Sequence, residues 1–167
     1  MLFRSAKRLE SAGAGAIVLC TNTMHKLAPE ITSKLTIPFI HIGNATAQRI
    51  RTKGYRRVGL LGTKFTMEEE FYIDRLRAHD LDVLVPPTEA RADVNRVIYD
   101  ELCLGIVAEP SRRRYQDVMA ALVARGAECI ILGCTEITML VGAADTSVET
   151  FDTTAIHAEA AADFAIG

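Results

Sequence analysis

The run Ala16-Ile17-Val18-Leu19-Cys20-Thr21-Asn22-Thr23 is answered far downstream by Ile130-Ile131-Leu132-Gly133-Cys134-Thr135-Glu136. Each is a short apolar stretch that ends in Cys-Thr. Their approaches match as well: Ser11-Ala12-Gly13-Ala14 precedes the first and Ala124-Arg125-Gly126-Ala127 the second. Gly13 aligns with Gly126, Ile17 with Ile130 and Leu19 with Leu132, and Gly133 is one residue inserted before the second cysteine. An apolar run that does not alternate, bounded by glycine and polar residues, reads as a strand covered on both faces. Two cysteines at the carboxyl ends of equivalent strands imply two half-sites facing each other across a cleft.

Outward from these two stretches, strand and helix patterns alternate. Helices are predicted over 3–10, with Gly13 as C-cap, and over 22–34, bent or broken at Pro29. Pro38–Ile42 is a strand, and Asn44 caps a helix that reaches Lys53 and stops at Gly54. Val58–Leu61 is a strand closed by Gly62-Thr63. The loop Thr63–Thr66 leads into a helix opened by Glu68-Glu69-Glu70, acidic where the helix dipole favours negative charge. Leu81–Val85 is a strand; Asp93 caps a helix to Val107 and Ser111 another to Arg125. Strands over 128–132 and 147–151 and an alanine-rich helix over 153–165 complete the chain. Such alternation predicts an α/β fold, with parallel sheets covered by helices on both faces. Ligands in such sheets sit beyond the carboxyl ends of the strands. Cys20, Thr63 and Cys134 all fall at such ends.

The 167 residues suffice for one good core or two small ones. A net charge of −2 offers no footprint for nucleic acid or an anionic membrane. The basic run Arg112-Arg113-Arg114 reads as the solvated start of a helix. No apolar stretch approaches the roughly 20 residues of a membrane span, and charges interrupt the start as a signal peptide. The four cysteines lack the spacing of a disulfide framework, so reduced thiols and a cytoplasmic location are expected.

A cysteine just past a strand and at a helix start is expected to feel amide dipoles that lower its pKa. Thr21, Asn22 and Thr23 supply short donors and acceptors for a carboxylate or an enolate-like oxygen. Thr135 and Glu136 do the corresponding work on the other side, Glu136 orienting or deprotonating Cys134. Thr63 and Thr66 divide evenly between turn and substrate roles. Two thiols on opposite sides of one carbon can exchange a proton there, one removing it and the other returning it on the opposite face. Fixed donors for the developing charge make a cofactor unnecessary. Cys103, placed inside a helix, and Cys129, inside a strand, read as inert core thiols. No Cys or His spacing suits a metal site. His25, His41, His79 and His157 are scattered and each alone reads as structural, with His157 the one to test. Gly13-Ala14-Gly15 precedes its strand and is no phosphate loop.

Cys20-Thr21-Asn22-Thr23-Met24-His25-Lys26, taken with Gly133-Cys134-Thr135-Glu136-Ile137, resembles the aspartate/glutamate racemase family. The closest likeness is to its broad-specificity, pyridoxal-phosphate-independent amino-acid racemases. Leu61-Gly62-Thr63, Thr66-Met67-Glu68, Glu101-Leu102-Cys103-Leu104-Gly105 and Phe151-Asp152-Thr153-Thr154-Ala155-Ile156-His157-Ala158-Glu159 also read like that branch. The resemblance implies two similar α/β domains with the active site in the cleft between them. It implies acid/base roles for Cys20 and Cys134, and substrate contacts from Thr21, Asn22, Thr23, Thr63, Thr135 and Glu136. It implies a small amino-acid substrate, no cofactor, and pairing as a homodimer. Residues 1–50 with 152–167 would belong to the first half-domain and 51–151 to the second. Family members open with a strand and a Gly-Gly-Met-Ser loop, so the first domain is expected to be incomplete. The expected reaction is racemisation of aspartate or glutamate. The alternatives are a hydantoin racemase, a maleate isomerase, a decarboxylase or an inactive fragment.

Overall fold

The computed structural model describes residues 2–167. Helix α1 (Leu2–Ser11) leads into β1 (Ile17–Val18). A 3-10 turn (Thr23–Leu27) and α2 (Ala28–Thr32) follow, then β2 (Phe39–Ile40) and α3 (Ile42–Thr52). Next come β3 (Arg57–Gly62), α4 (Lys64–Glu68), α5 (Glu70–Arg77) and β4 (Asp82–Leu84). Helix α6 (Thr88–Asp100), a 3-10 turn (Leu102–Leu104) and α7 (Glu109–Ala124) lead to β5 (Cys129–Gly133). The chain closes with β6 (Glu149–Asp152) and α8 (Thr153–Ile166). All pairings are parallel: β1 with β2, and a four-stranded sheet in the order β4-β3-β5-β6.

The four-stranded sheet is covered on both faces, as the unbroken apolar runs predict. Along β5 the side chains alternate. Ile130 and Leu132 pack with Val94, Val97 and Ile98 of α6 and Tyr115, Met119 and Leu122 of α7. Cys129 and Ile131 pack on the other side with Ile50 of α3, Leu76 of α5 and Ile156 of α8. The pair β1-β2 has a smaller core of Ala6, Ile17 and Ile31.

The sequence repeat is also a structural one. Helix, strand, a connection of short helical turns, strand, helix occurs as α1-β1-β2-α3, with α2 in the connection, and again as α7-β5-β6-α8. Ile17 pairs with Phe39 as Ile130 pairs with Thr150. Gly13 and Gly126 both take positive φ, 91° and 96°, where the chain turns out of its helix into the strand. α3 and α8 pack against each other.

Several local expectations are corrected. The first strand is shorter than Ala16–Leu19, and Val18 is exposed, not buried on both faces; β1 has a partner on one edge only among the described residues. Pro29 lies in the first turn of α2, so 22–34 splits into a 3-10 turn and a short helix. His41, not Asn44, caps α3, its Nδ1 accepting from the Gly43 N–H. Thr63 caps α4 ahead of the acidic run, and only Glu70 opens a helix. α6 starts at Thr88, leaving Asp93 to pair with Arg114. Ser111 is the third residue of α7, buried, and donates to Glu101.

Gly133, the inserted residue, is dictated by packing. A Cβ there would lie 2.8 Å from the Leu61 carbonyl oxygen and 3.2 Å from Leu60 Cδ1. Its β3 partner is Gly62. Backbone cannot yield as a side-chain tip can, so Gly133→Ala is expected to cost about 1–3 kcal/mol in urea unfolding. Gly15→Ala, where nothing lies within 4 Å, is expected to stay within about 0.5 kcal/mol of the parent.

Candidate functional site

The loops that leave β1, β3 and β5 at their carboxyl ends converge on a cleft of 290 Å³. Its wall includes Thr21, Asn22, Thr23 and Met24 from the first loop and Thr63 from the second. The third supplies Gly133, Cys134, Thr135 and Glu136, and Ile98, Tyr99 and Cys103 complete it from the end of α6 and the turn after it. Seven of the eight residues singled out from the sequence line this cleft. The eighth, Cys20, is exposed and stands immediately before Thr21, where the wall begins.

On the first side the chain turns sharply, Thr21 N–H donating to Leu19 O at 2.8 Å. Beneath it sits His25, almost wholly buried. The Ile42 N–H donates to His25 Nε2 at 3.2 Å. The proton is therefore on Nδ1, which donates to Thr21 O at 2.6 Å. One imidazole thus ties the Cys20-Thr21 turn to the start of α3. Burial, first, and then His157 and Arg75 nearby push the His25 pKa down to about 4, despite the opposing bond to Thr21.

On the second side Cys134 Sγ donates to Glu136 Oε2 at 2.9 Å, and Thr135 Oγ1 donates to the same oxygen at 2.6 Å. Burial and the bond to Glu136 push the Cys134 thiol up to about 12. This overturns the expectation of a dipole-lowered thiol: the element after Cys134 is a three-residue 3-10 turn, Ile137–Met139, with no helix dipole behind it. Burial alone would raise the Glu136 carboxyl, but the bonds from Cys134 and Thr135 prevail and hold it below its usual range. The arrangement at rest is a protonated thiol leaning on a carboxylate.

Hydroxyl contacts join the loops. Thr23 Oγ1 lies 2.9 Å from Thr63 Oγ1, and Thr63 Oγ1 lies 3.2 Å from Thr66 Oγ1. Asn22 Nδ2 donates to Thr153 Oγ1 at 3.0 Å, and Thr153 donates on to Leu132 O at 3.0 Å. Asn22 Oδ1 has no partner among the described residues.

Met24, Ile98, Tyr99 and Cys103 were not singled out for the site. Cys103 is a correction: it lies in the turn Leu102–Leu104, is exposed and lines the cleft, so it is no core thiol. No local spacing announces it, because α6 ends earlier than its pattern suggests. Cys129 is buried in β5 as expected. Three of the four histidines are also gathered rather than scattered. His25 lies 4.4 Å from His41 and 5.7 Å from His157, centroid to centroid, and His157 Nε2 donates to Ile40 O at 2.7 Å. A hollow of 500 Å³ beside His25 and His41 is larger than the cleft but has no thiol in its wall.

Comparison with known proteins adds an independent finding. The family model described as Asp/Glu/Hydantoin racemase matches residues 1–161. The crystal structure of a putative Asp/Glu racemase from Yersinia pestis is 52% identical, with a TM-score of 0.96 over 99% of this chain and 73% of that one. The crystal structure of an aspartate racemase homologue from Pyrococcus horikoshii OT3 is 35% identical, with a TM-score of 0.90 over 99% of this chain and 73% of that one. A glutamate racemase of Thermus thermophilus is 31% identical over 135 residues, 78% of this chain and 46% of that protein. The chain thus spans about half the length of that curated relative. The chain belongs to the Asp/Glu/Hydantoin racemase family.

Proposed function

We propose that the protein racemises a small amino acid, aspartate or glutamate first among them, by proton exchange between Cys20 and Cys134 without a cofactor. The observation that carries this is the meeting of the two repeated Cys-Thr loops at one cleft, with the Cys134 thiol hydrogen-bonded to Glu136. The names of the relatives support the substrate class.

The chemistry follows from the state of Cys134. Burial beside a carboxylate keeps it protonated, so it is the acid of the first half-reaction. The Cys20 thiolate takes the α-proton, breaking Cα–H and forming S–H. The electron pair moves into the α-carboxylate as an enediolate. The Cys134 S–H then breaks and its proton forms a new Cα–H bond on the opposite face. In the reverse direction the Cys134 thiolate is the base. A thiol pushed up to about 12 yields a stronger thiolate base than an ordinary one, which suits a carbon acid as weak as an amino acid. Hydroxyls of Thr21, Thr23, Thr63 and Thr135 and backbone N–H groups would receive the carboxylate oxygens.

A second substrate reading has its own observation. No Lys or Arg is among the residues lining the cleft, whereas Met24, Ile98 and Tyr99 are. That wall suits an uncharged side chain. Chiral chromatography after incubation with single enantiomers of aspartate, glutamate, serine, asparagine and leucine separates the readings. Interconversion of acidic substrates supports the first and interconversion of uncharged ones alone the second. No interconversion of any amino acid overturns both.

A further inference from the structure

Thr153 opens α8, is fully buried and is not part of the cleft wall. It nevertheless bonds both halves of the site. The carbonyl of Leu132, two residues before Cys134, can only accept, so the Thr153 hydroxyl proton is committed to it. The hydroxyl oxygen is then an acceptor for Asn22, and only the NH2 side of that carboxamide can face it. This determines the orientation of Asn22, two residues after Cys20, and turns its unpartnered Oδ1 away from Thr153. One hydroxyl therefore sets the Cys20 loop against the end of β5.

We infer that Thr153 is a positioning residue: its hydroxyl registers the Asn22 loop against the Leu132 end of β5 and so holds the two thiols at their working separation. The inference rests on the racemase reading. Effective proton transfer at one carbon needs both partners placed within a fraction of an ångström. Losing the hydroxyl takes from Asn22 Nδ2 its buried acceptor and from Leu132 O its side-chain donor, and the Asn22 loop relaxes toward new partners.

The test compares Thr153→Val, which keeps the shape without the hydroxyl, with Thr153→Ser, which keeps the hydroxyl. In the full chain, Thr153→Val is expected to lower kcat by about 10- to 100-fold, as for one or two lost bonds, with KM changed less than about threefold. Thr153→Ser is expected to restore kcat to within about threefold of the parent. The Asn22 side-chain NH2 resonances, protected from solvent exchange in the parent and in Thr153→Ser, are expected to lose that protection in Thr153→Val. Thr153→Ala carries the same exchange measurement if the valine variant does not fold. Unchanged kcat in a folded hydroxyl-free variant, failure of serine to restore it, or undisturbed Asn22 resonances would each overturn the inference. A parent that turns over no amino acid sinks the racemase reading instead, and the Asn22 exchange measurement still tests the latch.

Discussion

Replacing Cys134 by serine is expected to lower racemisation by about a thousandfold in both directions, and Cys20→Ser by a similar factor. A serine hydroxyl is a far weaker acid than a thiol, and its alkoxide is inaccessible near neutral pH. On the proposed mechanism each single variant lacks one of the two proton carriers. The two losses are distinguishable by isotope. In deuterated solvent the remaining thiol can still remove and return a proton on its own face, so each variant is expected to wash out the α-hydrogen of one enantiomer and not the other. The enantiomer retained by Cys20→Ser should be the one lost by Cys134→Ser. Unchanged exchange from both enantiomers in both variants would refute the two-thiol assignment. Cys103→Ser supplies the control for the other thiol that lines the cleft. It stands on a turn with an exposed side chain and, among the described residues, has no hydrogen bond to a carboxylate comparable to that of Cys134.

The parts of this site that were legible in the sequence share one property: their meaning is local. Gly126, Ile130, Leu132 and Cys134 lie within one helix-to-strand turn and one strand, and their counterparts from Gly13 to Cys20 repeat the pattern. β5 has partners on both edges and reads out as an unbroken buried run. β1 has the same pattern but, among the described residues, a partner on one edge only; two of its residues pair regularly and Val18 stays exposed. Period and propensity do not carry that distinction, which belongs to the neighbours. The same holds for the caps. His41 displaces Asn44 because its ring is fixed in the buried group with His25, and α6 opens early because Pro87 starts it without a side-chain cap. The Cys134 thiol departs from its sequence-based expectation for a related reason. Its pKa follows from burial and a carboxylate two residues on, and the helix expected to lower it is a single 3-10 turn. Cys103, Thr153 and the histidine group depend on contacts between elements far apart in the chain, and no spacing rule reaches them.

The histidine group leads to the second expected result, a loss of stability in mild acid. His25 is pushed down to about 4 and His41 to about 3, in both cases first by burial, with neighbouring imidazoles and Arg75 adding to it. His157 is lowered too, by burial, against its bond to Ile40. These folded values lie below the ordinary 6.5, so as pH falls the unfolded chain takes up protons before the folded one does. The stabilisation is therefore complete above about pH 6.5 and drains away as pH falls toward 4 for His25 and toward 3 for His41, by several kcal/mol in all. Glu10 and Asp145, both held down to about 2 by hydrogen-bonded cationic partners, start from ordinary values of 4.5 and 3.8, so they add to the loss only at the acid end of that window and below it. Protonation of His25 also puts a proton on Nε2, which accepts from Ile42 N–H in the neutral ring, so the bond to the start of α3 is lost while Nδ1 still donates to Thr21 O. Urea unfolding measured in steps from pH 7.5 to 4.5 is expected to show this slope, and His25→Gln, which can still donate and accept but does not titrate, to flatten part of it. A parent whose unfolding free energy is level across that range would show that these imidazoles titrate normally and that the bond from Ile42 N–H does not hold His25 neutral.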